Sequence, residues 1–356
     1  MAINLKFTPK NWERTRNNWN AWWNHDLDRA MVVPDVYLWR QSKAFVPQIE
    51  GWDFTRDIFP IDPVLDYYQG FLENITFYGD SWPRWWPNYG AGIIAGFQGV
   101  SIGVDENTVW FEPPSDTPLK HIDIHYDPDN FWWRWVSAIT RAAVARWGNQ
   151  VTVAFTDLGG NADILASLRG TQNLLMDLYD SPEIVEQLVT ETTQVWLRYY
   201  EELYSIITTA NNGTSSWAPL WSPGRHYMLQ SDFAYMISPP MFERFVLPDL
   251  ETICNHLDYG FYHLDGKGQI PHLDMLLSIK NLKGIQWIPG DGAPPPEDWL
   301  PLLKRIRDAG KLCQLYVSAE GALKIARELG GKGFTFMIDL VPESELDGLL
   351  KNLYAF

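Results

Sequence analysis

Acidic side chains and one imidazole follow short apolar runs in the second half of the chain. His263 and Asp265 end the first of these runs, Glu320 follows the third, and Asp339 closes the fourth. The implied order of strand, loop and helix is typical of parallel α/β proteins, in which the carboxyl ends of the strands open into the ligand crevice. We therefore expect these polar side chains to share one mouth of the fold.

Two further acids occupy the same kind of position earlier in the chain. Asp157 follows the apolar run 151–155, and Asp232 follows a second short run that ends near Leu229. Carboxylates that share a partly buried site raise one another's pKa, so that one can donate a proton while another stays ionised. The alternative for Asp157, Asp232 and Asp339 is a helix cap or an ion pair with a nearby Arg.

Two carboxylates on either side of a sugar can hydrolyse a glycosidic bond, and their separation sets the stereochemistry. His263 and Asp265 are two residues apart, so they face the same side of a strand or of its extension. We predict that Asp265 is the nucleophile or base and that His263 binds a substrate hydroxyl. The predicted acid is Glu320 or Asp232, although Glu320 could equally stand in the first turn of a helix that begins near Ala319.

The chain contains 19 Trp, more than the packing of an interior requires. Flat, partly polar ligands such as sugar rings stack on indole faces, which favours a carbohydrate or similar polyol as the substrate. We predict Trp287, Trp85 and Trp86 as stacking platforms and Asp157 and Asp339 as further substrate contacts. The alternative is a large aromatic core.

Composition excludes several classes of partner. The 356 residues carry a formal net charge of -16, and nucleic acids and anionic membranes attract clustered Lys and Arg instead. No apolar leader is found at residues 1–16, and no stretch is long enough to cross a bilayer. The two isolated cysteines, Cys254 and Cys313, are expected to be reduced, buried thiols of a cytoplasmic protein that acts on a small molecule.

The order of elements favours a single domain over residues 1–356. Residues 10–28 have Trp at helical spacing and predict an N-terminal helix that packs on the rest of the fold, so we treat 1–30 as an addition to it. Residues 31–38 predict the first strand, with Arg40 just after its end. The segment 81–87 is too interrupted by Pro for a helix and predicts an aromatic loop over the mouth.

A set of motifs in the second half resembles the uroporphyrinogen decarboxylase superfamily. These are Leu-Gln-Ser-Asp at 229–232, Ile-Ser-Pro at 237–239 and Phe-Glu-Arg-Phe-Val-Leu-Pro at 242–248, followed by His263 and Gly266. The resemblance covers roughly residue 151 to the C-terminus. It implies a (β/α)₈ barrel, here with N-terminal helical and aromatic-rich loop additions.

The departures from the superfamily pattern affect the reaction that the resemblance implies. The decarboxylase binds substrate carboxylates with an arginine-rich segment after its first strand, where this chain keeps only Arg40 and Lys43. The serine that follows the aspartate of the fourth-strand motif corresponds to Phe233. Methyltransferases of the superfamily often bind zinc through His-x-Cys and a distant Cys, whereas this chain has His263-Leu-Asp265.

Four functional hypotheses remain open on the sequence alone. The first is glycoside hydrolysis without a cofactor. The second is transfer of a methyl group from a small ether or amine to a corrinoid protein or a thiol, with His263 and Asp265 as ligands of a zinc ion. The third is decarboxylation of a small acid, with Arg40 and Arg169 holding its carboxylates. The fourth is binding of a sugar or aromatic ligand without catalysis.

Overall fold

The apolar runs of the second half form parallel strands in the computed structural model of the chain. The structure describes residues 3–34, 60–104, 108–113, 117–339 and 341–356. From residue 226 onward, strands and helices alternate as the sequence predicts. Arg40 lies outside the described residues.

The strands of the described residues form three sheets. They are β1 (Met31–Pro34), β2 (Arg84–Trp85), β3 (Ser101–Val104), β4 (Val109–Glu112), β5 (Thr152–Val153), β6 (His226–Leu229), β7 (Tyr259–Asp265), β8 (Leu282–Ile288), β9 (Leu312–Val317) and β10 (Phe334–Ile338). The central sheet has the order β1-β10-β9-β8-β7-β6, and all neighbouring pairs in it are parallel. The predicted α/β class is confirmed.

Helices connect the strands, and those other than the N-terminal helix that pack on the central sheet cover its outer face. They are α1 (Pro9–Trp23), α2 (Ile61–Asn74), α3 (Ile94–Phe97), α4 (Phe131–Trp147), α5 (Asn161–Arg169), α6 (Thr171–Asp180), α7 (Pro182–Ile207), α8 (Pro239–Phe245), α9 (Leu247–His256), α10 (Leu273–Ser278), α11 (Leu300–Asp308), α12 (Ala319–Leu329) and α13 (Glu343–Leu353). The longest, α7, begins at a proline, whose missing N–H costs nothing at a first helical position.

The alternation of side chains along the strands divides the core in two. Leu264, Trp287 and Leu315 are neighbours across β7, β8 and β9, and all three belong to the large core between the sheet and the helices. Their neighbours in sequence therefore point to the opposite face, because successive side chains of a strand alternate. We call that opposite face the inner face; it carries His263 and Gln286.

The N-terminal helix fills part of the inner face, as the sequence predicts. Trp22 and Trp23 of α1 lie with their ring centroids 6.0 and 5.9 Å from that of Phe261. Leu312 and Met228 belong to the same apolar cluster. Much of the tryptophan excess is therefore structural, since these indoles are buried against the sheet rather than facing a ligand.

One buried carboxylate ties the N-terminal part of the chain together. Asp80 is 2% exposed and accepts hydrogen bonds from both terminal nitrogens of Arg29, at 2.8 and 2.9 Å. It also accepts from the backbone N–H of Val32 at 2.9 Å and from the side-chain amide of Asn18 at 2.8 Å. A charge buried this deeply requires such pairing.

Most of the aromatic segment at 81–87 has no regular secondary structure, as the sequence predicts. Its residues Arg84–Trp85 form strand β2, which pairs in parallel with β5. Trp85 is 6% exposed and packs its ring against Trp147 and Tyr68, with centroids 5.4 and 5.6 Å apart. The predicted loop is therefore wrong at this point, because a short strand buries the indole in the core.

Two smaller predictions can also be compared with the structure. Cys254 and Cys313 are both buried and free, as expected. Across the described ranges, no helix combines the length and the apolar character that crossing a bilayer requires.

Candidate active site

Three of the predicted catalytic residues lie together where β6 and β7 end. Asp265 ends β7, His263 lies two residues before it, and Asp232 follows β6 after a short turn. One ligand atom from each side chain lies within 4.8 Å of the others. His263 and Asp265 are half-buried, while Asp232 is exposed at the rim. The expected convergence of these three side chains is present, and the catalytic roles predicted for them stay predictions.

A chain of side-chain amides fixes the orientation of His263. The ring Nδ1 is hydrogen-bonded to Gln286 Oε1, and the Gln286 amide donates to Gln314 Oε1 at 2.8 Å. Gln314 in turn donates to the backbone carbonyl of Pro219 at 3.3 Å. Because an amide oxygen only accepts, Nδ1 is the donor in this hydrogen bond, so the free lone pair of a neutral ring is on Nε2. His263 is thereby prepared to bind a metal ion or accept a proton through Nε2.

Asp163 holds the turn that carries Asp232. Its two carboxylate oxygens accept the backbone N–H groups of Asp232, at 3.0 Å, and of Phe233, at 2.7 Å. The start of α5 can approach this turn because Gly160 lacks a side chain: a Cβ there would lie 2.2 Å from the carbonyl oxygen of Gln230. The sequence analysis did not assign Asp163 to the site, since only the fold brings α5 to this turn.

The carboxylates near this turn have raised pKa values. Burial raises the pKa of Asp157 to about 7, and the charge of Asp232 adds to this, although the N–H of Gly159 opposes it with a 2.9 Å hydrogen bond. Burial also raises the pKa of Asp163 to about 7 and that of Asp232 above its ordinary value. Asp265 repels Asp232 further, whereas His263 stabilises its charge.

A second acid is buried behind α5. Asp249 is 6% exposed and accepts a hydrogen bond from the hydroxyl of Thr193 at 2.7 Å and another from the side-chain amide of Asn161. Burial raises its pKa to about 7. The side-chain oxygen of Asn161 has no donor among the described residues, which a protonated Asp249 could supply.

In the part of the chain that the structure describes, the acids of the site have no Lys or Arg partner, and His263 is the basic side chain beside them. The ion pairs found there do not include Asp157, Asp163, Asp232 or Asp265. Buried negative charge without a counterion is unfavourable unless it is protonated or bound to a cation. The site is therefore suited to a positively charged ligand.

The remaining predicted residues do not all reach this site. Glu320 is exposed in the first turn of α12, which was the alternative interpretation. Trp287 is 0% exposed and lies with its ring centroid 5.1 Å from that of Trp299, so the predicted stacking role does not fit its position. Trp287 follows Gln286 in β8, and because successive side chains alternate between the two faces of a strand, Trp287 points to the helices. Trp86 is half-buried, and Asp339 is exposed after β10.

The predicted role of Arg169 does not fit its contacts either. Its guanidinium donates to both carboxylate oxygens of Asp177, at 2.6 and 3.4 Å, and to the carbonyl of Thr117 at 3.3 Å. An arginine held in this way joins α5 to α6 and is not available to bind a substrate carboxylate.

The donor set of Asp232, His263 and Asp265 fits a divalent metal ion. Zinc is commonly bound by imidazole nitrogen and carboxylate oxygen at about 2.0–2.2 Å. Two atoms bound tetrahedrally to one ion at that distance are about 3.4 Å apart, so atoms that are up to 4.8 Å apart would have to move closer to bind the same ion. The Gln286 hydrogen bond to Nδ1 is the kind of outer contact that orients a metal-binding histidine.

Comparison with known proteins adds no family to this description. No family model matches the chain, and no curated protein matches it. The function must therefore be argued from the geometry of the site together with the motif resemblance.

Proposed function

We propose that the chain is a metal-dependent methyltransferase of the uroporphyrinogen-decarboxylase-like type. Asp232, His263 and Asp265 would bind one divalent ion, most suitably zinc, and the enzyme would move a methyl group from a small amine or ether to a thiol or a corrinoid protein. The convergence of these three side chains on one point carries the proposal.

The proposed fold is the closed (β/α)₈ barrel of that superfamily. Beyond β1, backbone hydrogen bonds connect further segments that would form the remaining strands of the barrel. They join Asp80 N to Val32 O at 2.8 Å, Thr152 N to Pro83 O at 2.9 Å and Phe155 N to Ser215 O at 3.0 Å. Trp217, next to the last of these segments, donates through its indole to the carbonyl of Met228 in β6 at 3.2 Å.

The roles of the residues follow from their contacts. A bound divalent cation would supply positive charge that favours the thiolate form of an incoming thiol. Gln286 keeps Nε2 of His263 directed into the site, and Asp163 fixes the backbone of Asp232. In the transfer, the new S–C bond forms as the donor's C–N or C–O bond breaks. A protonated or quaternary ammonium donor releases a neutral amine and an ether donor releases an alkoxide, each with the electron pair, and the thiol proton goes to solvent or to the alkoxide.

Glycoside hydrolysis is the second candidate, and one observation favours it. Carboxylate atoms of Asp232 and Asp265 lie within 4.8 Å of each other, and retaining glycosidases place their carboxyl groups about 5–5.5 Å apart. Asp232, with its raised pKa, would be the acid and Asp265 the nucleophile. This candidate ranks second because Glu320 and the indoles of Trp85 and Trp287 do not supply the predicted contacts.

Decarboxylation is the least supported of the three reactions. Of the two arginines that would hold the substrate carboxylates, Arg169 is paired with Asp177. Arg40 lies outside the described residues and adds no support.

Elemental analysis of the purified full-length protein tests the proposal. We expect about one equivalent of a divalent metal in the wild type and much less in His263→Ala and Asp265→Asn. His125→Ala is the matched control, because His125 has a 60% exposed side chain far along the chain from the site. A folded wild-type protein that neither contains metal nor binds added zinc would refute the proposal.

Activity separates the two candidates. Methyl transfer from amines and ethers to a thiol should require His263 and Asp265. Turnover of nitrophenyl glycosides by metal-free wild type, lost in Asp265→Asn, would instead establish the hydrolase.

A further inference from the structure

A cavity of about 360 Å³ lies next to Asp232, between α5, β4 and the turn after β6. Asp163 and Asp232 are its acidic lining residues, and Phe111, Phe233 and Met236 are the largest of its apolar lining residues. The volume lies within the range of pockets that hold small molecules. Asp232 lines the cavity and is also one of the proposed metal ligands, so the cavity opens beside the proposed metal site.

The charge of this cavity favours a cation. Among the described residues, no Lys or Arg lines it. The basic side chain nearest in sequence to its lining, Arg169, is already paired with Asp177 and Thr117. Asp157 and Asp265 add negative charge near Asp232, and neither has a basic partner in the described part of the chain. With a divalent ion bound to Asp232 and Asp265, the acids that remain beside it are Asp157 and Asp163.

The apolar lining favours a cation whose charge is surrounded by carbon. Aromatic faces attract quaternary ammonium groups through the ring quadrupole, and thioethers pack well against methyl groups. Phe233 is 3% exposed, so its side chain is a fixed part of the lining, whereas Met236 is 49% exposed at the rim. A strongly hydrated ion such as a primary ammonium would leave these apolar surfaces unmatched.

We infer that the cavity binds a small methylated ammonium ion. That this ion is the methyl donor rests on the proposed function, but its binding depends on the cavity alone. As a donor, a quaternary ammonium gives up one methyl group as its C–N bond breaks. The tertiary amine leaves with the electron pair, and the thiolate sulfur gains the methyl group.

Binding of choline tests this inference. Its neutral isostere, 3,3-dimethylbutan-1-ol, has the same shape without the charge, so the pair isolates the contribution of charge. Both are titrated calorimetrically into the full-length protein, whose metal content is measured on the same sample. We expect choline to bind at least about tenfold more tightly than the isostere.

Substitution of Thr171 places a charge at the rim without disturbing the core. Thr171 lines the cavity and is exposed in the first turn of α6. Thr171→Lys should remove the preference for choline, whereas Thr171→Met, of similar length and uncharged, should keep it. Equal binding of choline and its isostere, no binding of either, or unchanged choline binding in Thr171→Lys would overturn the inference.

The two proposals fail separately. Choline binding by a protein that takes up no metal supports the cavity and refutes the metal site. Metal uptake without choline binding would support the metal site and refute the binding of a methylated ammonium ion in the cavity.

Discussion

Replacing Asp249 with asparagine should stabilise the protein above neutral pH. Asp249 is buried, and its pKa of about 7 in the folded state compares with the ordinary value of 3.8. The folded state therefore binds the proton more tightly than the unfolded state. The contribution of Asp249 to stability is therefore greatest below about pH 4, falls as the pH rises from about 4 to about 7, and is constant above that.

The size of the effect follows from the two pKa values. A difference of about three corresponds to about 4 kcal/mol of unfolding free energy. Asparagine has the shape of the protonated acid and keeps an oxygen that can accept from Thr193 and Asn161, so it avoids the cost of the buried charge. For a chain of this length the gain corresponds to about 5 °C in Tm.

Urea denaturation of wild type and Asp249→Asn at pH 5, 6, 7 and 8 measures this difference. The stability of the variant relative to the wild type should increase from pH 5 to pH 7 and level off at about 4 kcal/mol by pH 8. Asp291→Asn is the control, since Asp291 is exposed in a turn and should give parallel curves. Parallel curves for Asp249→Asn as well would show that Asp249 is ionised when folded, and the reasoning would be wrong.

Three further substitutions test other parts of the description. Gln286→Leu removes the acceptor for Nδ1 of His263 and should weaken zinc binding about 10- to 100-fold in a chelator competition; unchanged affinity would contradict the orienting role. Asp80→Asn leaves Arg29 without its buried partner and should cost about 3–5 kcal/mol in urea denaturation, and a loss below about 1 kcal/mol would argue against that network. Trp287→Ala should cost about 3–5 kcal/mol of stability while leaving metal content and choline binding unchanged, whereas loss of binding in a stable variant would restore its predicted role in the site.

The strand-end residues were predictable because their signal is local. His263 and Asp265 share a face through the two-residue period of a strand, and Asp232 follows an apolar run as they do. The mouth of a parallel sheet then brings them together. No knowledge of loop geometry was needed for this part of the site.

The face to which Trp287 points was not predictable from its own strand. Strand β8 is buried on both faces, so Gln286 and Trp287 are equally enclosed and no polar alternation distinguishes inward from outward. The register decides which side chain points inward, because Gln286 pairs with His263 and Trp287 pairs with Leu264. For the same reason Trp85 looked like part of a loop, since a two-residue strand carries no periodic signal.

The contribution of Asp163 was outside the reach of sequence patterns. It lies about 70 residues from the turn that it holds, and an acid in the first turn of a helix is ordinarily explained by the helix dipole. Its contact with the N–H groups of Asp232 and Phe233 exists only because α5 packs against that turn.

The pairing of the first strand with the last affects how the chain can fold during translation. β1 pairs with β10, about 300 residues later, and α1 packs on Phe261 of β7. A ribosome adding about 5–20 residues per second needs about 15–60 s to make the intervening chain. Trp22 and Trp23 of α1 lack the ring of Phe261 that packs on them until β7 has been made. We therefore expect α1 to dock on the sheet only after β7 emerges, and β1 to complete its pairing only after β10 does.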